Sequence, residues 1–133
     1  MDVGETFKVT TSDQTAHNIH PNPNPMTGNI PWNQSQPPGA PPVEKSWKAP
    51  EMIEVKCNIH PWMKGWLRVF DTPYYAITDK DGNFEIKLAP AGKVQLVAWH
   101  EGAGWVGAGG KNGTAIDLKP GETHDVGTIK VKK

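Results

Sequence analysis

Apolar residues alternate with polar ones in short runs along much of this chain, and turn residues separate the runs. Phe7 and Val9 alternate with polar neighbours over residues 5–11, which predicts a half-buried strand with those two side chains inward. Residues 12–15 read as a turn, and residues 16–20 as a short extended segment with two histidines. A strand is expected over 52–57 and a return strand over 65–70, with a tight turn at Pro61 between them. Residues 46–49 predict a short strand before Pro50. Downstream, the pattern predicts a hairpin of strands 75–78 and 83–87 around Asp79-Lys80-Asp81-Gly82. A strand over 93–100, a flexible glycine-rich stretch over 101–113 and two closing strands over 114–118 and 123–131 complete the set. Only residues 21–45 lack alternation. They open with Pro21-Asn22-Pro23-Asn24-Pro25 and carry Pro37-Pro38-Gly39-Ala40-Pro41-Pro42. Proline removes backbone donors, so the expectation is a long irregular loop, tied down through Ile30 and Trp32. No helix of three turns is evident, and the class is all-β.

Composition narrows this picture. The 133 residues suffice for one domain or two very small ones. Fourteen basic and fourteen acidic side chains cancel, which argues against nucleic acid as the main partner. Fourteen glycines and thirteen prolines suit a β-sandwich with many turns. No run approaches the roughly 20 apolar residues of a membrane span. Met1-Asp2-Val3 lacks the basic start and apolar run of a signal peptide, so a mature form or a fragment with an added Met is expected.

The chemistry concentrates in Cys57-Asn58-Ile59-His60-Pro61-Trp62-Met63, which holds the only cysteine of the chain. A thiolate, an imidazole and a thioether form a soft ligand set. Cys with two His and a weak axial Met is a pattern that binds copper for electron transfer. The second imidazole must come from elsewhere. His17 is the best candidate, because it lies in a strand-like segment before the loop. His20 is its rival, on the expectation that both histidines face one side of that segment. Asn18, Pro61 and Trp62 would order and shield the site. The competing readings are a core thiol beside an ordinary loop histidine, a zinc site, and a catalytic Cys/His pair. Met63 favours copper over zinc, since a thioether is a poor zinc ligand. Trp62 and Trp66 flank the loop, either as an apolar docking surface or as filling for a small core. His100 could make a surface contact, and His124 reads as solvated. The triplets at Asn33 and Asn112 match the glycosylation pattern, but such triplets are common by chance.

The segments His17-Asn18-Ile19 and Cys57 to Met63 resemble the cupredoxins, most closely the amicyanin type with its short Cys-x-x-His-x-x-Met copper loop. The resemblance covers roughly residues 3–69. It implies copper held by His17, Cys57, His60 and Met63, one ion per chain, and one-electron transfer as the activity. The stretches 76–86 and 88–96 resemble a different module, the carboxypeptidase regulatory-like (transthyretin-like) β-sandwich, which is usually non-catalytic. The whole is similar to exported bacterial proteins that join the two patterns.

The expected architecture is therefore a cupredoxin-like Greek-key sandwich over 1–69 running into a prealbumin-like sandwich over 70–133. Cupredoxins have several strands before the His-Asn segment, and this chain has room for one. A partner strand or a homo-oligomer is expected to complete that sheet. The function implied is electron transfer with a redox protein that docks near His60, Trp62 and Trp66. The expected location is periplasmic or extracellular, and no enzyme activity is expected. The alternatives are a structural subunit of a larger assembly with a vestigial site, or a protein that stores or delivers copper.

Overall fold

A computed structural model describes residues 1–132 and is all-β, with ten short strands and two 3-10 turns. The chain divides into two compact units, Met1–Pro73 and Tyr74–Lys133.

In the first unit the strands are β1 (Phe7–Val9), β2 (His17–Asn22), β3 (Gln34–Gln36), β4 (Val43–Lys45), β5 (Glu51–Lys56) and β6 (Lys64–Val69). Four of them form an antiparallel sheet in the order β3-β2-β5-β6, and β1 pairs separately with β4. In the β5–β6 hairpin Glu51, Ile53 and Val69 are buried, and strand alternation puts Glu51 and Ile53 on one face. Ile53 lies opposite Leu67, and Glu51 opposite Val69. The core is small: Trp47, Ile53 and Val69, with Met1, Trp32 and Leu67 packed against it. Trp32 stacks on Trp47 with ring centroids 6.4 Å apart. The chain start pairs with the end of β6, where Val3 donates to the Phe70 carbonyl at 2.8 Å and Phe70 to that of Met1 at 2.9 Å.

The proline-rich stretch departs from expectation. Residues 21–45 are not one irregular loop: they hold the end of β2, a 3-10 turn over Pro25–Thr27, β3 and β4. A buried carboxylate fixes this path. Glu51 accepts hydrogen bonds from the Asn24 amide, the Thr27 hydroxyl (2.7 Å) and the Asn29 side chain (3.0 Å). Burial pushes the Glu51 carboxyl up, but these donors outweigh it and hold it below its ordinary value. Trp32 packs down as expected, whereas Ile30 is 68% exposed. The strand expected over 46–49 does not form, because the Asn29 side chain takes the Lys48 and Ala49 amides at 2.9 and 3.1 Å. Those donors are then lost to any ladder, and the strand lies earlier, at β4.

The second unit holds β7 (Gly92–Leu96), β8 (Ala98–His100), β9 (Gly104–Val106) and β10 (Thr114–Leu118). They form two antiparallel pairs, β7 with β10 and β8 with β9. The run 93–100 is thus two strands rather than one, because its halves take different partners on either side of Val97. The stretch 101–113 contains β9 and a 3-10 turn. The turn at Asp79 forms as expected, with the Asp79 carboxylate accepting the Asp81 and Asn83 amides at 2.9 and 2.8 Å. The flanks 75–78 and 83–87 form no ladder, and neither does 123–131. Ile77 is 89% exposed, and none of the described residues of this unit is buried. An isolated two-stranded ribbon without a packed face is marginal in water.

Candidate metal centre

The β5–β6 hairpin sets the candidate site. Lys56 and Lys64 are its last paired residues, so residues 57–63 form the connection. The connection closes on itself: Cys57 donates to the Met63 carbonyl at 3.1 Å, and Met63 to the His60 carbonyl at 2.9 Å. Strand β2 runs antiparallel beside β5 with His20 opposite Lys56. Two residues back along β2 and two beyond the end of β5, that register brings Asn18 to the start of the loop at Asn58. The Asn18 side-chain oxygen accepts the Asn58 amide at 2.6 Å and the Ile59 amide at 3.3 Å. It also lies 3.5 Å from the Cys57 sulfur. Its own NH2 group donates to Asn33 at 2.8 Å, which fixes its orientation.

This frame brings three of the expected ligands together. One ligand atom from each of His17, Cys57 and His60 lies within 4.8 Å of the others. Cys57 Sγ is 3.7 Å from His60 Nδ1, and His60 Nδ1 is 3.2 Å from His17 Nδ1. Donor atoms bound to one ion at about 2.0–2.3 Å stand at such separations when the angles between them are wide. The residues therefore fit a metal bound by one thiolate and two imidazoles. Cys57 is buried, and His17 and His60 are half-buried. Met63 is 41% exposed and lines, with His17, Asn18 and Cys57, a concavity of about 550 Å³.

His20 is not part of this group. It stands three residues from His17, and an odd offset in a strand puts two side chains on opposite faces. The expectation of a shared face fails on that parity. His20 instead meets the Asn58 side chain at 3.0 Å. Trp62 packs near the His60 ring, with centroids 5.2 Å apart, but is itself 77% exposed. It shields one side of His60 without burying the loop. Pro61 contributes a fixed φ to the turn. Trp66 lies on β6 opposite Glu54, two residues beyond the pair that borders the loop, and is 39% exposed.

Sequence reasoning missed Asp13. It sits on the β1–β2 connection, and its carboxylate lies 2.7 Å from His17 Nε2. Nothing in the periodicity points to it; the one hint is an acid four residues before a candidate ligand.

The electrostatics favour a deprotonated sulfur. Burial pushes the Cys57 thiol up, but hydrogen bonds from the backbone of Asn18 and His60 and from both imidazoles outweigh it, leaving it at about 6. The His17 imidazole is raised above 6.5, chiefly by its hydrogen bonds to Cys57 and to Asp13. The two shifts have opposite linkage. The Cys57 contribution to stability is full above the ordinary value of 9.0 and is lost as pH falls through about 6. The His17 contribution is full below 6.5 and is lost as pH rises through its raised value. In the metal-free chain the ultraviolet absorbance of the thiolate is expected to titrate at about 6, and to move towards 9.0 in denaturant. A midpoint near 9.0 under native conditions would contradict this account of the loop.

No family model, curated protein or solved structure matches the chain.

Proposed function

We propose that this chain is a type 1 copper protein that passes single electrons to or from a redox partner. The convergence of Cys57, His60 and His17 carries the reading: a thiolate poised at about 6 lies 3.7 Å from one imidazole nitrogen, which lies 3.2 Å from another. A soft thiolate with two imidazoles suits copper, and Met63, on the concavity that His17 and Cys57 also line, would offer a thioether as a further weak donor. Copper, when bound, supplies a one-electron couple. The chain's own residues fix the donors and limit their movement. Asn18 ties the loop to β2, and the Cys57–Met63 hydrogen bond closes it. A donor set held in place in advance changes little between oxidation states, which favours fast transfer.

The partner would dock over His60, whose ring lies beside the exposed Trp62. The cupredoxin-like first unit, the transthyretin-like second unit and a periplasmic or extracellular location belong to the same reading. So does completion of the first sheet by a partner strand or a second copy, since an unpaired sheet edge is a ready template for pairing. A second reading, a docking subunit of a larger assembly, draws on the exposed Ile77 and Leu88 of the second unit.

Titration with Cu(II) separates these readings. An intense visible absorption that saturates at one copper per chain, and is absent from Cys57→Ser, is expected for the electron-transfer protein. A colourless Cu(II) complex with equal affinity in Cys57→Ser rules it out. Zinc that binds tightly and is not displaced by copper would move the assignment to a zinc site.

A further inference from the structure

We propose that Asp13 is a positioning residue for the metal: it holds His17 in the tautomer that presents Nδ1 to the centre. The inference rests on the metal reading of His17, Cys57 and His60. It concerns a residue on a different element, the β1–β2 connection, which the ligand pattern does not include.

The geometry assigns the two ring nitrogens of His17 separate tasks. Nε2 faces the Asp13 carboxylate at 2.7 Å, and Nδ1 faces His60 Nδ1 at 3.2 Å. A carboxylate can only accept, so Nε2 carries the proton and the Nδ1 lone pair is left for the metal. The contact is at the short end of the range for charge-assisted hydrogen bonds. The His17 side chain is 12% exposed, so the ring has little freedom to turn away. A carboxylate behind a ligating histidine fixes the ring and raises its basicity.

Charge points the same way. One thiolate and one carboxylate balance a doubly charged cation, whereas a singly charged one leaves a net negative centre. Asp13 therefore stabilises the oxidised metal over the reduced one. As a mere surface ion pair, the contact would leave both the tautomer and the metal indifferent to its loss.

Asp13→Asn tests this on the full chain, with ¹⁵N NMR of the His17 ring in the metal-free state and Cu(II) affinity at about pH 8.5, where protons compete little with the metal for a neutral imidazole. The expected results are a weakened preference for the Nε2 proton, a 10–100-fold loss of Cu(II) affinity, and a higher midpoint potential. Asp13→Glu is expected to recover part of each. An affinity in Asp13→Asn within about threefold of wild type, against the 10–100-fold expected of such a partner, overturns the proposal whatever the tautomer does. A wild-type chain that binds no metal overturns the metal reading and this role with it. A wild-type chain that binds copper with no response to Asp13→Asn overturns the role of Asp13 alone.

Discussion

Truncating Ile53 to alanine is expected to lower the stability of the metal-free chain by about 2–5 kcal/mol. The side chain is fully buried at 0% exposure, opposite Leu67 and packed with Trp47 and Val69. Among the described residues only Trp47, Ile53 and Val69 form the buried cluster, so few neighbours can move to fill the space left behind. The loss includes the transfer of the removed methyl groups and the cavity that remains. Against a typical stability of about 5–15 kcal/mol, it is large. Urea unfolding followed by tryptophan fluorescence reads it as a lower midpoint at unchanged slope. Ile77→Ala, at a position 89% exposed, is the matched control and should move stability by no more than about 0.5 kcal/mol. Equal effects at the two positions would mean that the core has been misplaced. Because Ile53 lies on the strand that delivers Cys57, the same substitution should also weaken metal retention on mild heating.

Asn18→Ala is expected to damage the site more than the fold. Its side-chain oxygen accepts the Asn58 and Ile59 amides, 40 and 41 positions further along the chain, at the point where Cys57 enters the loop. Removal leaves two backbone donors to water at a partly open surface, a cost of about 0.5–1.5 kcal/mol. The loop carrying His60 and Met63 then loses its tie to β2, and copper affinity should fall about 10–100-fold. Asn18→Asp separates hydrogen bonding from charge. It keeps the acceptor for the two amides but sets a carboxylate beside the sulfur, so the Cys57 thiol should rise above about 6 while the loop stays closed. Unchanged affinity in both variants would remove Asn18 from the account.

The loop that brings Cys57 and His60 together was legible because its chemistry is local. Residues 57–63 connect two strongly alternating strands, and a hairpin brings their ends together whatever the rest of the chain does. His17 was legible for a related reason: its strand runs beside β5, so one register places it. The face of His20 was misread, although strand parity alone decides it. Asp13 escaped notice because a single acid in a turn carries no periodic signal. Its meaning comes from a distance of 2.7 Å that only the folded chain creates. The proline-rich segment misled for a physical reason too. Proline counts against ladders, but Gln34–Gln36 and Val43–Lys45 lie between the prolines, and Glu51, from outside the segment, holds Asn24, Thr27 and Asn29 within it. In the second unit, clean alternation over 83–87 predicted a strand. Alternation records which face could be buried, and it does not by itself supply a partner strand: residues 83–87 form no ladder.

The most direct test of the central claim is X-ray absorption of the chain loaded with one copper. The account predicts one sulfur and two imidazole nitrogens as the nearest neighbours of the metal, with the sulfur lost in Cys57→Ser and one imidazole lost in His17→Ala. Copper surrounded by nitrogen and oxygen alone in the wild-type chain would contradict it.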